Sequence, residues 1–526
     1  MKRLIVVVPG TGGNIKQWQP LLNKLGQEIE LADSDWLWWN YNKGLFSFGS
    51  SWNLSRELKA KIEEQWHLQG SYDDIILIGH SLGGILVRQA FLIAAGIYPN
   101  HPDMSSWHEK VSRFVLLAAI NRGFNPANSL ITEVAVNCVK ATPLFRFLLF
   151  RDMVKGSTFI TNLRTAWIRY FSSLNNQQTV VQLVGTRDGI VKRDDSIDLE
   201  QFPRGFHIDV PEANHANLYK LGRAKNNQGR YKLIREAILA DKPSSDSKKQ
   251  VFQKNPVVFV LHGIRDSNSG WVEQLRSQII DREPNAEVIT ASYGYFSAFN
   301  FFLPWIRKKN IEWFQDQYSY YFSRYPEAEF YFIGHSNGTY ILGESLKKVS
   351  TMRFKRIYLA GSVLPCDYPW AERFYYQQLE NFRNDRSCWD WPVGILCSGL
   401  RGVGMHDIGT GGFDGFRFDD GRTQEVFYYN GGHGKPLEES NLNNIIDYIL
   451  TGKVVLKPEV IISAKKVSSL FRWCSRVAPY VTPVLLALLF LLVYFVIQGI
   501  GSNLLLVKLV PPLVACLIVW IVLETV

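Results

Sequence analysis

The chain has 526 residues, a formal charge of +10 and an apolar share of 46 %. That length exceeds one hydrophobic core and predicts two or three domains, while the apolar and aromatic content excludes a mainly disordered chain. The charge is mild for the size and no run of Lys and Arg outlines a nucleic-acid groove, so no nucleic-acid partner is expected and an anionic membrane surface is the expected partner.

The N-terminus, Met1-Lys2-Arg3, runs straight into a short strand, Leu4 to Val8. It has neither the apolar length nor the cleavage site of a signal peptide. Six scattered cysteines (Cys138, Cys366, Cys388, Cys397, Cys474, Cys516) have no framework or metal-ligand spacing and read as reduced thiols. The strand breaks at Pro9-Gly10-Thr11-Gly12-Gly13, ahead of a helix over Gln17 to Leu25. Glycines let main chain approach a developing charge closely. The loop lacks the Gly-Lys-Ser/Thr ending of a phosphate loop and the dinucleotide spacing, so nucleotide binding is not expected.

An aromatic-rich segment follows, with Trp36, Trp38, Trp39, Tyr41, Phe46, Phe48 and Trp52. Core packing is its default reading, with an acyl-chain pocket or interfacial surface as the alternative. Ile75 to Ile78 then leads through Gly79-His80-Ser81-Leu82-Gly83 into a helix over Gly84 to Ala95. A serine between strand and helix, flanked by glycines, sits on a sharp turn with its hydroxyl exposed at a sheet edge. A strand over Phe114 to Ile120 follows, and then Pro126 to Phe171, read as a cap or lid over Ser81 or as extra core. Strands over Thr179 to Val184 and Phe206 to Val210 deliver Asp188 and His215 just beyond their ends. In a parallel sheet both would reach the edge that carries Ser81, in the chain order Ser, Asp, His.

On these motifs, residues 1–240 resemble a serine hydrolase of the α/β-hydrolase superfamily, on the lipase and esterase side. The resemblance implies Ser81 as nucleophile, His215 as general base, Asp188 as the acid that orients it, and Thr11 and Leu82 as donors of oxyanion N–H groups. The loop reads Pro-Gly-Thr-Gly-Gly where many relatives carry a His-Gly pair, a departure that bears on Thr11.

Residues 241–254 are polar and read as a linker. Beyond it the pattern recurs. Val257 to Leu261 is a strand, His262-Gly263-Ile264 restores the His-Gly pair, and Gly334-His335-Ser336-Asn337-Gly338 follows the strand Phe330 to Ile333. Gly263 follows Gly10 by 253 positions and Ser336 follows Ser81 by 255, the signature of a duplicated domain, here over 255–452. The second copy has its own aromatic segment, from Tyr293 to Phe314. Its base is read as His433 after the strand Val426 to Tyr429, and its oxyanion donors as Ile264 and Asn337. Three acids stay open: Asp390 by alignment with Asp188, then Asp385, then Asp407. From Ser336 to Asp390 the second copy spends 54 residues where the first spends 107 from Ser81 to Asp188, so most of the first copy's insert is missing from it.

After a basic segment at 453–476, Val477 to Ile497 and Leu504 to Leu523 are two apolar runs of membrane-crossing length. They predict a transmembrane hairpin over 477–526. The basic residues before it, Lys453, Lys457, Lys465, Lys466, Arg472 and Arg476, place both copies on the cytoplasmic side.

The expected fold class is therefore α/β: two tandem α/β-hydrolase domains of mostly parallel sheet, plus the hairpin. The expected activity is hydrolysis of carboxylic esters or thioesters of lipids or acylated substrates, with no metal or cofactor implied. An acyltransferase with the same triad, or a scaffold in which one or both copies are inactive, remains open, as does the oligomeric state.

Overall fold

A computed structural model describes residues 1–499 apart from 45–46, 100–102, 125–148, 173–175, 192–197, 200–201, 222–226, 244–254, 265–269, 291–297, 455–460 and 463–466. The described residues form two compact units. The first is Met1–Gln253 with Gln315–Glu327 and Val349–Met352, and the second is Lys254–Phe314, Ala328–Lys348 and Arg353–Val526. The two short stretches at 315–327 and 349–352 join the first unit although they lie in the sequence span expected for the second domain.

In the first unit, β1 (Arg3–Val8), β2 (Asp35–Trp38), β3 (Asp74–His80), β4 (Val111–Leu117), β5 (Thr179–Gly185) and β6 (Gly205–Val210) form a sheet in the order β2-β1-β3-β4-β5-β6, parallel throughout. The strands are near-continuous apolar runs because both faces are covered. On one face Ile5, Val7, Ile76, Ile78, Val115 and Leu117 meet Trp18 and Leu21 of the helix Ile15–Leu25 and Ile234 and Ile238 of the helix Asn227–Leu239. On the other, Phe114 and the helix Leu82–Ala94 meet the helix Thr158–Phe171, with Trp167 4.9 Å from Phe114 and 6.4 Å from Phe91. Each such buried large side chain contributes roughly 1.5–3 kcal/mol.

The helix Thr158–Phe171 lies within the stretch expected as a cap. Of the two readings left open, cap or extra core, the residues of this helix take the second, because Phe159, Leu163, Trp167 and Phe171 all face the core. Of the rest of the expected insert, 126–148 lies outside the described residues, and 149–157 is described, with Leu149 and Phe150 buried. Part of the first aromatic segment packs on the core: Trp36 and Trp38 are partly buried against it, Trp38 5.7 Å from Trp18, and Tyr41 is buried, whereas Phe48 is exposed and Phe46 lies outside the described residues.

In the second unit, β7 (Val257–Leu261), β8 (Glu287–Ile289), β9 (Phe330–His335), β10 (Phe354–Ala360), β11 (Leu379–Ser387), β12 (Thr423–Tyr429) and β13 (Ile461–Ile462) form a sheet in the order β13-β12-β11-β10-β9-β7-β8. All pairs are parallel except β12 with the short β13. Without β13, an edge strand that the sequence did not announce, this order matches the first sheet strand for strand. Helices Gly270–Arg282 and Glu439–Thr451 cover one face through Leu275, Ile279, Ile445 and Ile449. Phe314 packs on Phe259 and Phe332 on the other.

In both sheets the second strand in sequence lies on one side of the first and the third on the other. The direction in which successive strands are added therefore reverses between β1 and β3, and between β7 and β9. The crevice at the carboxyl ends of such a strand pair is where ligands bind open parallel sheets. Ser81 leaves β3 there, and Ser336 leaves β9.

The last described helix, Ser469–Gly499, includes the candidate span Ser469–Phe495, in which an 18-residue window reaches a mean hydropathy of 2.2 with 6 % of its residues buried. It covers the first predicted span. The second, Leu504 to Leu523, lies outside the described residues, so one helix long and apolar enough to cross a membrane is present among those described.

Candidate active site

Ser81 directly follows β3 and caps the helix Leu82–Ala94 with φ +51°. A non-glycine residue in this left-handed region stores backbone strain, and such strain persists only where the surroundings enforce it. Here the Ser81 amide donates to the Leu117 carbonyl at 2.9 Å, and the Ser81 carbonyl accepts from the Gly84 amide at 3.1 Å. The flanking glycines are required by contact. A Cβ on Gly79 would sit 2.5 Å from the Gly84 Cα, and one on Gly83 would sit 2.2 Å from the Val8 carbonyl oxygen. The turn after β1 also comes close, since a Cβ on Gly10 would lie 2.8 Å from His80 Nδ1 and 3.1 Å from the Ser81 Cβ. Thr11 thus sits in a turn beside the serine, and the Leu82 amide is in the first turn of a helix, where amides have no intrahelical acceptor. A cleft of about 440 Å³ opens beside this turn, lined by Gly12, Gly13, Trp38, Asn40 and Lys43 among others.

His215 Nε2 lies 2.8 Å from Ser81 Oγ, and its Nδ1 lies 3.1 Å from Asp188 Oδ2. Asp188 is three residues past β5 and its side chain is fully buried. Its Oδ1 accepts from the amides of Ile190 and Val191 at 2.8 and 2.9 Å. Burial alone would raise this carboxyl, but the hydrogen bonds from His215, Val191 and Ile190 outweigh it and hold its pKa below the ordinary value.

The sequence reading passed over His80. Burial, then repulsion from a charged His215, push its pKa down to about 3, so its ring is neutral. Its Nε2 donates to the His215 carbonyl at 2.8 Å, and the ring rests edge-on against Tyr219 and Trp18. His80 therefore ties the loop that carries His215 to the strand that carries Ser81. The signal was available: a histidine precedes the serine in both copies.

The second unit repeats this framework. Ser336 follows β9 with φ +52°, its amide donates to the Ala360 carbonyl at 3.0 Å, and its carbonyl accepts from the amide and hydroxyl of Thr339. A Cβ on Gly338 would sit 2.6 Å from the Leu261 carbonyl oxygen, and one on Gly263 would sit 2.8 Å from the Ser336 Cβ. Ile264 follows Gly263 as Thr11 follows Gly10, and Asn337 opens the helix Asn337–Lys348 as Leu82 opens its own. His335 is buried with its pKa driven well below the ordinary value, by burial first and then by His433. The His433 ring lies 4.5 Å from that of His335.

Of the three acids left open by sequence, Asp390 is the one beside His433. Both its oxygens are 2.9 Å from His433 Nδ1, and Oδ1 also accepts from the Val393 amide at 3.0 Å. Asp385 lies inside β11, fully buried, where it receives two hydrogen bonds from Arg383 at 2.8 and 2.6 Å and the hydroxyls of Tyr358 and Tyr429. Asp407 pairs with Arg307 at 3.1 Å and accepts from the Tyr340 hydroxyl. Among the described residues no group of three or more His, Cys, Asp or Glu side chains is placed to hold a metal ion.

No family model matches the chain, and no curated protein matches it. Solved structures resemble it weakly. A monoacylglycerol lipase of Paleococcus ferrophilus is 16 % identical with a TM-score of 0.30, over 45 % of this chain and 94 % of its own. A lipase of Bacillus licheniformis is 17 % identical with a TM-score of 0.28, over 41 % and 86 %. A phospholipase of Legionella pneumophila is 14 % identical with a TM-score of 0.25, over 37 % and 40 %. Likenesses of this size carry no functional argument, whereas the two parallel sheets with helices on both faces themselves fit the α/β-hydrolase fold.

Proposed function

We propose that the chain is a membrane-anchored serine hydrolase of the α/β-hydrolase type that cleaves carboxylic ester or thioester bonds of lipid or acylated substrates. The observation that supports this best is the hydrogen-bonded series Ser81, His215, Asp188, at 2.8 and 3.1 Å, with the serine on a left-handed turn at the sheet's crevice. In this reading Ser81 Oγ attacks the acyl carbon while His215 Nε2 takes its proton. Asp188 holds Nδ1–H and balances the imidazolium charge. The oxyanion is met by the Leu82 amide and by the Thr11 amide in the turn packed on Ser81. His215 returns the proton to the leaving alcohol or thiol, and water then releases the acyl group by the same steps in reverse order.

The second unit would act alike through Ser336, His433 and Asp390, with Ile264 and Asn337 as oxyanion donors. The lipid substrate class rests on the exposed apolar helix Ser469–Gly499, which suits a membrane-held enzyme.

Labelling the detergent-solubilised protein with a fluorophosphonate probe tests the reading. Wild type is expected to label on peptides containing Ser81 and Ser336, each single Ser→Ala variant to lose its own peptide's label, and the double variant to lose both. Labelling that survives the double change overturns the assignment of the nucleophiles.

A further inference from the structure

The first half of the helix Ser469–Gly499 is built into the second unit. Phe471 packs between Trp389 and Phe413, at ring distances of 5.8 and 5.1 Å. Ser398 Oγ donates to the Ser475 carbonyl at 2.6 Å. Along the facing segment, a Cβ on Gly394 would meet the Phe471 ring at 3.0 Å, one on Gly399 would meet Thr482 Oγ1 at 2.4 Å, and one on Gly402 would meet the Pro479 carbonyl oxygen at 1.9 Å. Three glycines thus let this helix lie directly on the segment that begins at Asp390.

The opposite side of the same helix turns shows Leu470, Trp473 and Tyr480 to solvent, with Trp473 60 % exposed. Beside them, Trp389 and Trp391 flank the buried Asp390 and are themselves 52 % and 44 % exposed. Single exposed tryptophans are unremarkable; three of them around one helix end that also carries Arg472 and Arg476 have the composition of a membrane interface, where indole rings sit at the headgroups and cations meet anionic lipid.

Length fixes the level. The helix has 31 residues, about 46 Å at 1.5 Å per residue, and roughly 20 residues fill a 30 Å hydrocarbon core. Its apolar end, exposed from Tyr480 to Phe495, occupies the core, and the turns from Ser469 to about Pro479 remain for the headgroup layer. Those turns, with Thr482 just beyond them, hold the second unit.

We infer that Trp389, Trp391, Leu470 and Trp473 form a platform that sits in the headgroup layer of a lipid bilayer, so that the Asp390–His433 side of the second site is held at the membrane surface and takes substrate from it. The inference rests on the reading of Ser469–Gly499 as a membrane anchor.

Photocrosslinking tests both separately. The full-length protein is reconstituted in vesicles of phosphatidylcholine and phosphatidylserine doped with a phosphatidylcholine that carries a diazirine near its headgroup, and in parallel with one that carries it in the acyl chain. Adducts are mapped by mass spectrometry after trypsin. Expected are headgroup-probe adducts on the peptides Ser387–Arg401 and Trp473–Arg476, and acyl-chain adducts on Val477–Lys508. Replacing Trp389 and Trp391 by serine should lower the headgroup adduct on Ser387–Arg401 several-fold and leave Val477–Lys508 unchanged. Acyl-chain adducts on Val477–Lys508 with none on Ser387–Arg401 overturn the platform and keep the anchor, the pattern also expected if a protein partner or a second copy covers the tryptophans. Absence of adducts from Val477–Lys508 overturns the anchor reading and the platform with it.

Discussion

At both sites a serine steps from its strand straight onto a left-handed turn, but the two acids are held differently. Asp188 accepts two backbone amides and meets His215 through one oxygen, whereas Asp390 accepts one amide and faces His433 with both oxygens. Past Asp188 the chain turns at Ile190 and Val191; past Asp390 it winds into the helical turn Pro392–Cys397 on which the apolar helix rests. The serine half is set by backbone with little room to change, since Gly79, Gly83 and Gly338 touch main chain. The acid half hangs on a loop whose continuation is free to serve another purpose, and in the second unit it supports the helix Ser469–Gly499.

The largest expected effect separates the acid from its neighbour. Asp390→Asn is expected to lower second-site turnover roughly 10⁴-fold, as is Asp188→Asn at the first site, with little loss of stability, because an amide leaves the imidazole in the wrong tautomer. Rates measured on a p-nitrophenyl ester in Ser81→Ala and Ser336→Ala backgrounds would show it. Asp385→Ala should do the reverse: it strands the Arg383 guanidinium, which is fully buried, and costs about 3–5 kcal/mol in chemical unfolding of detergent-solubilised protein. A stable Asp385→Ala protein lacking second-site activity would exchange the two roles.

The glycines sharpen the same comparison at smaller scale. Gly79→Ala pushes a methyl into the Gly84 backbone, whereas Gly334→Ala meets first the Phe332 ring edge at 2.4 Å and the nearest backbone only at 3.4 Å. Overpacking typically costs 1–3 kcal/mol, so Gly79→Ala is expected at or above about 3 kcal/mol and Gly334→Ala near the lower figure, read from midpoints of thermal unfolding.

The smallest effect is a slope. With a pKa of about 3 when folded against an ordinary 6.5, His80 takes up a proton on unfolding throughout that window. Its contribution therefore destabilises the fold as pH drops below 6.5, by about 1.4 kcal/mol per pH unit until about pH 3. His80→Gln should flatten this dependence between pH 6.5 and 5 by one proton's worth, and should also slow first-site turnover by loosening the His215 loop. An unchanged slope would mean that the ring is not neutral in the folded state.

Much of this framework was legible because its parts are local. Strand, glycine, serine, glycine and helix follow within ten residues, and in both copies the glycine-rich turn begins two residues past the first strand and the acid stands three residues past its own. Asp390 stood ahead of Asp385 in sequence only through its alignment with Asp188, because the polar run Leu379–Ser387 does not mark where its strand ends; the extent of β11 puts Asp385 inside the sheet, bonded to Arg383 on its own strand and to tyrosines of the two neighbouring strands, and Asp390 beyond it. His80 was passed over although a histidine precedes the serine in both halves, because its task, a long-range bond to the His215 carbonyl, is not itself visible in the spacing. The helix Thr158–Phe171 could be read as lid or as core because the aromatics of a lid and of a packed layer look alike in sequence.

The close contact at Gly402 has a practical consequence. Because the Pro479 carbonyl occupies the space where a side chain would be, the apolar helix is also a piece of the second unit's interior, covering Gly394, Gly399 and Phe413. A truncation at residue 468, the obvious route to a water-soluble form, would strip that cover and leave an aggregation-prone face. A better cut falls near Gln498, with the exposed positions from Val484 to Phe495 recoded to polar residues and Phe471, Ser475, Ala478 and Thr482 kept.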